Sequence, residues 1–274
     1  MKRWLVIFMC VAVSQIAAQS KVEERLQNLS KSDAKGWLQP AVNGFGMGMN
    51  SGFFHTAKTH SLLGFDLKIP VMLAQVPSGD KTFNSSVYGE SPTVAGDKGS
   101  SSDPIRGLDL SLVPFVAPQL TVGVPFKTDV LLRYVPKTEI SKDVGEVSML
   151  GLGVKHNLNQ WIPIPLPLDV AGAFTYTSLE VGDYLTAKAT SYHLLASKSL
   201  LLLTVYGGLS AESSTMDVEY DRTGFGTQKF SATGKNKFRF YGGATLKLLL
   251  VYVNADYSLG AYNAASVGLG VTLR

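Results

Sequence analysis

The sequence predicts an all-β fold, a transmembrane antiparallel up-and-down β-barrel of about 10–12 strands with a short N-terminal helix. Three observations predict it. Apolar side chains recur at every second position over segments of roughly ten residues, the period of a strand with one greasy and one wet face. No apolar run of about 20 residues, the length a membrane helix needs, follows the N-terminus. Long polar connections alternate along the chain with short ones, as they do when strands run up and down between two unlike sides of a membrane. The 274 residues suit one all-β unit.

The elements follow in order. Lys2 and Arg3, the apolar stretch from Trp4 to Val13, and the small residues Ala17 and Ala18 read as an export signal over residues 1–19. Removing it takes the formal charge from +4 to +4 − 2 = +2, too weak a bias for a nucleic-acid partner. Cys10, the only cysteine, falls inside the signal, so disulfide and thiolate chemistry are excluded from the mature chain. Ser20-Lys-Val-Glu23 has the form of a capping box, with Val22, Leu26 and Leu29 at helical spacing after it. The expected helix ends before Gly36 and Pro40, and segment 20–40 either docks on the barrel mouth, plugs the lumen or lies loose.

From Val42 to Phe54, Gly44, Gly46 and Gly48 alternate with Phe45, Met47 and Met49, which reads as a strand or a plug segment at the start of a barrel spanning 41–274. As a strand it brings the count to eleven; as a plug it leaves ten, and one missed strand would give twelve, bacterial barrels being even-numbered. Leu63 to Leu73 gives the longest apolar face, opposite Asp66 and Lys68, and residues 77–106 read as a long loop. A short strand at Leu108, Leu110 and Leu112, a turn over 113–118 and a long strand over 120–134 come next. Residues 136–145 are polar, Leu150 to Val154 resume the alternation, and the prolines of Gln160 to Pro167 mark a connection whose Trp161 suits a membrane interface. Strands near 168–178, 185–196 and 200–211, a polar loop over 221–236 and strands over 238–248, 251–259 and 266–273 close the chain. Tyr134, Tyr176, Tyr184, Tyr220 and Tyr262 lie near strand ends, where an aromatic girdle sits. With a periplasmic C-terminus, the loops 77–106, 136–145 and 221–236 share the outer side, and the turns near Ser197 and Leu249 share the inner side with the proline-rich link.

If the apolar faces meet lipid, Asp66, Lys68, Asp109, Lys127, Asp129, Arg133, Lys155, Asp169, Lys188, Arg239, Lys247 and Asp256 point into the lumen. They either line a polar or plugged pore or fill a closed lumen with ion pairs. His55, His60, His156 and His193 show no metal-ligand spacing, and no G-x-S-x-G occurs. Ser191 and His193 share a strand face, a pairing that arises often by chance. No catalytic residue, metal or cofactor is assigned.

Two stretches resemble a family. Trp37-Leu-Gln-Pro-Ala-Val-Asn-Gly-Phe-Gly, running on to Asn50-Ser-Gly-Phe-Phe-His-Thr-Ala57, and Gly151 to Pro163 are similar to an uncharacterised family of Bacteroidota-type outer-membrane barrels, itself similar to the long-chain fatty-acid transporter group of hydrophobic-substrate porins. The resemblance implies a monomeric barrel with an N-terminal segment at its lumen; Arg274 stands where such barrels often end in an aromatic residue. The expectation is therefore a non-enzymatic outer-membrane barrel that passes or binds a small hydrophobic ligand under the control of its N-terminal segment. Lipid and that ligand would be its partners. The alternative is a structural or assembly barrel with a filled lumen, and a third reading, a soluble exported barrel, requires the apolar faces to point inward.

Overall fold

The computed structural model describes residues 25–100, 102–141 and 145–273; the expected export signal and the capping box at Ser20 lie outside them. Among the described residues the helix α1 (Lys31–Asn50) precedes the sheet. The strands are β1 (Phe65–Gln75), β2 (Thr82–Ser85), β3 (Gly89–Pro92), β4 (Leu112–Val116), β5 (Gln119–Val124), β6 (Thr128–Ser141), β7 (Gly145–Asn157), β8 (Asp169–Val181), β9 (Leu185–Leu200), β10 (Leu203–Arg222), β11 (Gly226–Thr233), β12 (Phe238–Leu248), β13 (Val251–Leu259) and β14 (Ala264–Leu273). β2 and β3 form a separate hairpin in the loop after β1.

The other twelve strands form one sheet that closes on itself. β1 pairs with β14 on one side, and on the other with β5 along its first half and β4 along its second. β10 likewise pairs with β12 along its first half and β11 along its second. Each of these two pairs occupies one position in the wall, so the barrel has 12 − 2 = 10 staves, all antiparallel to their neighbours. Chain order is wall order throughout, the up-and-down topology that the alternation predicts.

The two faces separate by polarity. Along β13, Val251, Val253, Ala255, Tyr257 and Leu259 are outward, whereas Tyr252, Asn254, Asp256 and Ser258 are buried inside. β14 repeats this with Val267, Leu269, Val271 and Leu273 outward. The soluble reading needs these apolar faces to point inward and is contradicted: along these staves polar side chains are inside and the apolar ones outside. One end of the barrel carries the long loop 76–111 and the turns 182–184, 223–225 and 260–263; the opposite end carries the turns at 125–127, 201–202 and 249–250, the link 158–168 and the end of β14.

Residues 42–50 are helical, which removes the strand reading of Val42–Phe54 and leaves ten staves. The helix also runs through Gly36 and Pro40, where it was expected to have stopped. Ser30 caps its N-terminus, its hydroxyl accepting from the Asp33 backbone N–H at 3.2 Å. Four glycines cost roughly 1 kcal/mol each and an internal proline about 3 kcal/mol relative to alanine, so α1 owes its helicity to what surrounds it. The glycines permit that contact. A Cβ at Gly44 would lie 2.5 Å from a Val113 methyl, and one at Gly48 2.6 Å from the Phe115 Cβ.

Several connections differ from expectation: the expected loop 136–145 is strand as far as Ser141 and again from Gly145, and the turn expected near Ser197 falls at 201–202. Residues 113–118 are no turn, since Leu112–Val116 pairs with β1 as wall; the turn falls instead at 125–127, inside the expected strand 120–134. Val124 and Thr128 face each other across it, so the outward phase continues unbroken and hides the reversal from periodicity. The polar stretch 226–233 is strand rather than loop, extending the wall beyond the apolar belt where β10 gives it backbone partners.

Candidate functional site

The lumen is occupied by the chain's own N-terminal segment. At the long-loop end the Thr223 N–H donates to the Gln27 carbonyl at 3.1 Å and the Tyr220 hydroxyl to the Leu29 carbonyl at 3.3 Å. α1 descends from there. The segment after it reaches the opposite end, where the Leu63 N–H donates to Gly123 at 2.9 Å before β1 begins. Residues 25–64 thus thread the barrel from one mouth to the other.

The upper lumen grips the helix by apolar contact. Val135, Met149, Leu179, Val218 and Phe230 on the wall pack with Leu26, Trp37, Leu38 and Val42. The long loop lies over this end: the Ser86 N–H and hydroxyl donate to the Asp33 carboxylate at 2.8 and 3.0 Å, and the Trp37 indole to the Arg106 carbonyl at 3.1 Å. Asp80 joins in, accepting from Asn43, Lys235 and Tyr262. A recess of about 290 Å³ remains beside Trp37, Tyr88 and Arg106.

Below the helix the wall is cationic, and its cations bind backbone carbonyls. Arg133, fully buried, donates to Met49 at 3.3 Å and Ser51 at 2.8 Å, with its guanidinium 3.4 Å above the Phe53 ring. Arg239 donates to the Asn50 carbonyl at 2.7 Å and the Ser51 hydroxyl at 2.8 Å. Two guanidiniums therefore meet the C-terminal carbonyls of α1, the negative end of its dipole. Lys68 continues the pattern on Phe53 at 2.8 Å and Lys155 on Thr56 and Lys58 at 3.3 and 3.0 Å. Two buried carboxylates complete the grip. Asp129 accepts from the His60 N–H at 2.9 Å, pairs with Lys155 at 3.0 Å and lies 3.1 Å from the His60 ring; Asp66 faces His55 at 3.5 Å and accepts from Tyr252 at 2.8 Å.

Of the expected lumen residues, Asp66, Lys68, Asp129, Arg133, Lys155, Arg239 and Asp256 are buried inside, and all but Asp256 contribute to the grip just described. Asp256 accepts from Tyr206 at 3.0 Å on the wall itself. Asp169 and Lys247 are half-buried at the short-turn rim. Three do not line the lumen. Asp109 sits in the long loop, 3.7 Å from Lys81, because the strand starts only at Leu112. Lys127 is exposed in the 125–127 turn. Lys188 points outward, since Ala187, Ala189 and Ser191 hold the inward phase of β9 where the wall has risen past the apolar belt.

Sequence reasoning missed Glu212, which is buried and receives Arg239 at 2.6 Å and Asn236 at 2.6 Å. Carrying the alternation of Leu203, Val205 and Leu209 onward would have placed it inside. It also missed Gln119, which bridges Arg133 and the Phe53 carbonyl. Ser191 and His193 face the lumen rather than lipid, with the hydroxyl 2.7 Å from Nε2. The second ring nitrogen of His193 has no hydrogen-bond partner among the described residues. The cavity beside that ring is about 10 Å³, room for one water and no substrate.

The chain belongs to a family described as a family of unknown function (DUF6588), whose model matches residues 1–273. No curated protein matches it. Among solved structures it is similar to OmpT, an outer membrane protein of Vibrio cholerae, at 8% identity and a TM-score of 0.27 over 58% of this chain and 55% of that one, so it spans about half the length of that protein. It is also similar to Ail, the attachment invasion locus protein of Yersinia pestis (10% identity, 77% of this chain, 98% of that one, TM-score 0.28). The translocator domain of the autotransporter NalP from Neisseria meningitidis gives 13% identity, 89% and 95% coverage and a TM-score of 0.33. None of these scores bears on function, and the fold rests on the strand pairing itself.

Proposed function

We propose that this member of the family is an outer-membrane β-barrel whose lumen is held shut by its own N-terminal segment. The carrying observation is where the lumen cations go. Arg133, Arg239, Lys68 and Lys155 all donate to carbonyls of residues 49–58, so the charges that would line a pore are engaged by the plug. The outward apolar belt supports the membrane setting: β14 exposes apolar side chains from Ala265 to Leu273, and nine strand residues rise about 25 Å when tilted as barrel strands are. The long-loop end is then extracellular and the short-turn end periplasmic.

This favours a barrel with a filled lumen, structural or docking in role, over an open porin. Passage of a small hydrophobic ligand is the second reading, favoured by one observation: withdrawing α1 would leave an apolar funnel of Val135, Met149, Leu179, Val218 and Phe230 at the outer mouth. Planar-bilayer recording separates these readings. The intact protein is expected to be nearly silent, and deletion of residues 31–60 to open a steady conductance. Steady conductance by the intact protein would refute the closed lumen. A plug that moves only when a fatty acid is added would establish the second reading.

A further inference from the structure

The short-turn end of the barrel carries side chains that do not suit a water-exposed turn. Leu201 and Leu249 sit at the tips of the β9–β10 and β12–β13 turns, 103% and 91% exposed, and Phe126 is 84% exposed at the tip of the β5–β6 turn. All three have positive φ, at 53°, 56° and 64°. That conformation costs a residue with a Cβ roughly 1–2 kcal/mol, and tight hairpins fill it with glycine or asparagine. The opposite end follows the rule, with Gly182, Gly224 and Gly226 at φ of 53°, 77° and 70° in its turns. One barrel thus uses glycine in the turns of one end and strained leucine or phenylalanine in those of the other, with Lys127 beside Phe126 also at positive φ, 51°. Turn geometry cannot account for the choice, so the side chains must.

Charge divides the same two ends. At the long-loop end both signs are exposed, as in the pairs Lys137–Glu146 and Lys229–Glu219. At the short-turn end Lys58, Lys127 and Lys198 are exposed, while Asp129 is buried and Asp169 half-buried, so the described residues there present no exposed carboxylate. The leucine tips also run without a break into the outward belt, through Leu200 and Leu203 on one hairpin and Leu248 and Val251 on the other.

We infer that the short-turn end is sunk into the membrane's inner leaflet, with Leu201, Leu249 and Phe126 among the acyl chains and the lysines holding anionic phospholipid headgroups. This rests on the outer-membrane reading above and adds a lipid preference to it. Apolar tips continuous with a lipid-facing belt gain by staying in lipid, which offsets the strain of their backbone. Lysines at the rim reach headgroups by extending their stems along the apolar surface, each favouring an anionic lipid by about fivefold.

Single cysteines at Leu201, Leu249, Leu269 in mid-belt and Phe225 at the far end, each labelled with a fluorophore in an otherwise cysteine-free chain, test this. The vesicles are phosphatidylcholine with or without phosphatidylglycerol, and the quenchers are brominated acyl chains and aqueous iodide. The labels at 201 and 249 are expected to respond to bromine as the Leu269 label does and to resist iodide, with Phe225 reversed. Bromine on phosphatidylglycerol should quench the tips several-fold more than bromine on phosphatidylcholine, and K58Q/K127Q/K198Q should remove that excess. Iodide-accessible tips beside a lipid-quenched Leu269 would overturn the inference and leave the membrane reading standing. An iodide-accessible Leu269 would overturn both. Tips shielded from both quenchers would also overturn the inference, because only protein, this chain or a second copy, could then cover them, and equal quenching by the two lipids would overturn the headgroup preference.

Discussion

Replacing Arg133 by methionine tests whether the wall cations hold the plug. The side chain keeps its length and apolar stem but loses its hydrogen bonds to the Met49 carbonyl at 3.3 Å and the Ser51 carbonyl at 2.8 Å, together with the guanidinium over Phe53. Hydrogen bonds from a charged donor contribute about 1.5–3 kcal/mol each, the longer one falling at the low end. The cation–π contact adds about 1–2 kcal/mol in a dry site. Among the described residues no carboxylate pairs with Arg133, so its removal also relieves the burial of a charge and offsets part of that sum. A net weakening of about 3 kcal/mol remains, which raises the unseated fraction of the plug by about 10²-fold. The readout is thiol labelling of Thr56→Cys, a buried plug position beside Ser197, in reconstituted protein. Arg133→Met should speed labelling about a hundredfold and Arg133→Lys, which keeps the charge without the fork, by less. A change under about threefold, with the barrel still shifting on heating in gel electrophoresis, would refute the idea that these cations seat the plug.

Two further outcomes follow from the plug's packing. Gly44→Ala should lower thermal stability by about 1–3 kcal/mol, because the new Cβ meets Val113, even though alanine is the better helix former by about 1 kcal/mol; Gly79→Ala, with open space around it, should be near neutral. Burial pushes the Asp33 carboxyl up, but the bonds from Ser86 and Ser30 outweigh it and hold the group below its ordinary value. Its contribution to anchoring the long loop is thus complete above the ordinary carboxylate range and is lost as pH falls through the lowered one. Protease sensitivity of residues 81–93 should rise on that acid side, and Asp33→Asn should flatten the profile.

The barrel was legible because its signal is written residue by residue. Alternation in β13 and β14 records which side chain meets lipid, and no tertiary contact can change that without turning the strand over. Reversals were less legible. The 125–127 turn keeps the outward phase of β5 and β6, so periodicity alone reads one strand through it. Charges followed the same logic: those within a stave, such as Arg133 and Asp256, could be assigned by phase, whereas Asp109, Lys127 and Lys188 lie where the stave has ended or has risen past the belt, and phase no longer means inside.

The helix was illegible for a different reason. Gly44, Gly46 and Gly48 fit a strand pattern as well as a helix, and Gly36 and Pro40 argue against a helix on propensity alone. What selects the helix is the wall around it. Val113 and Phe115 require glycine where they approach, and Arg133 and Arg239 satisfy carbonyls that only a helix end leaves open together. A segment of such low intrinsic helicity depends on the barrel wall for this shape. The polar lower wall then has a definite purpose: its charges complete a helix that the sequence by itself does not support.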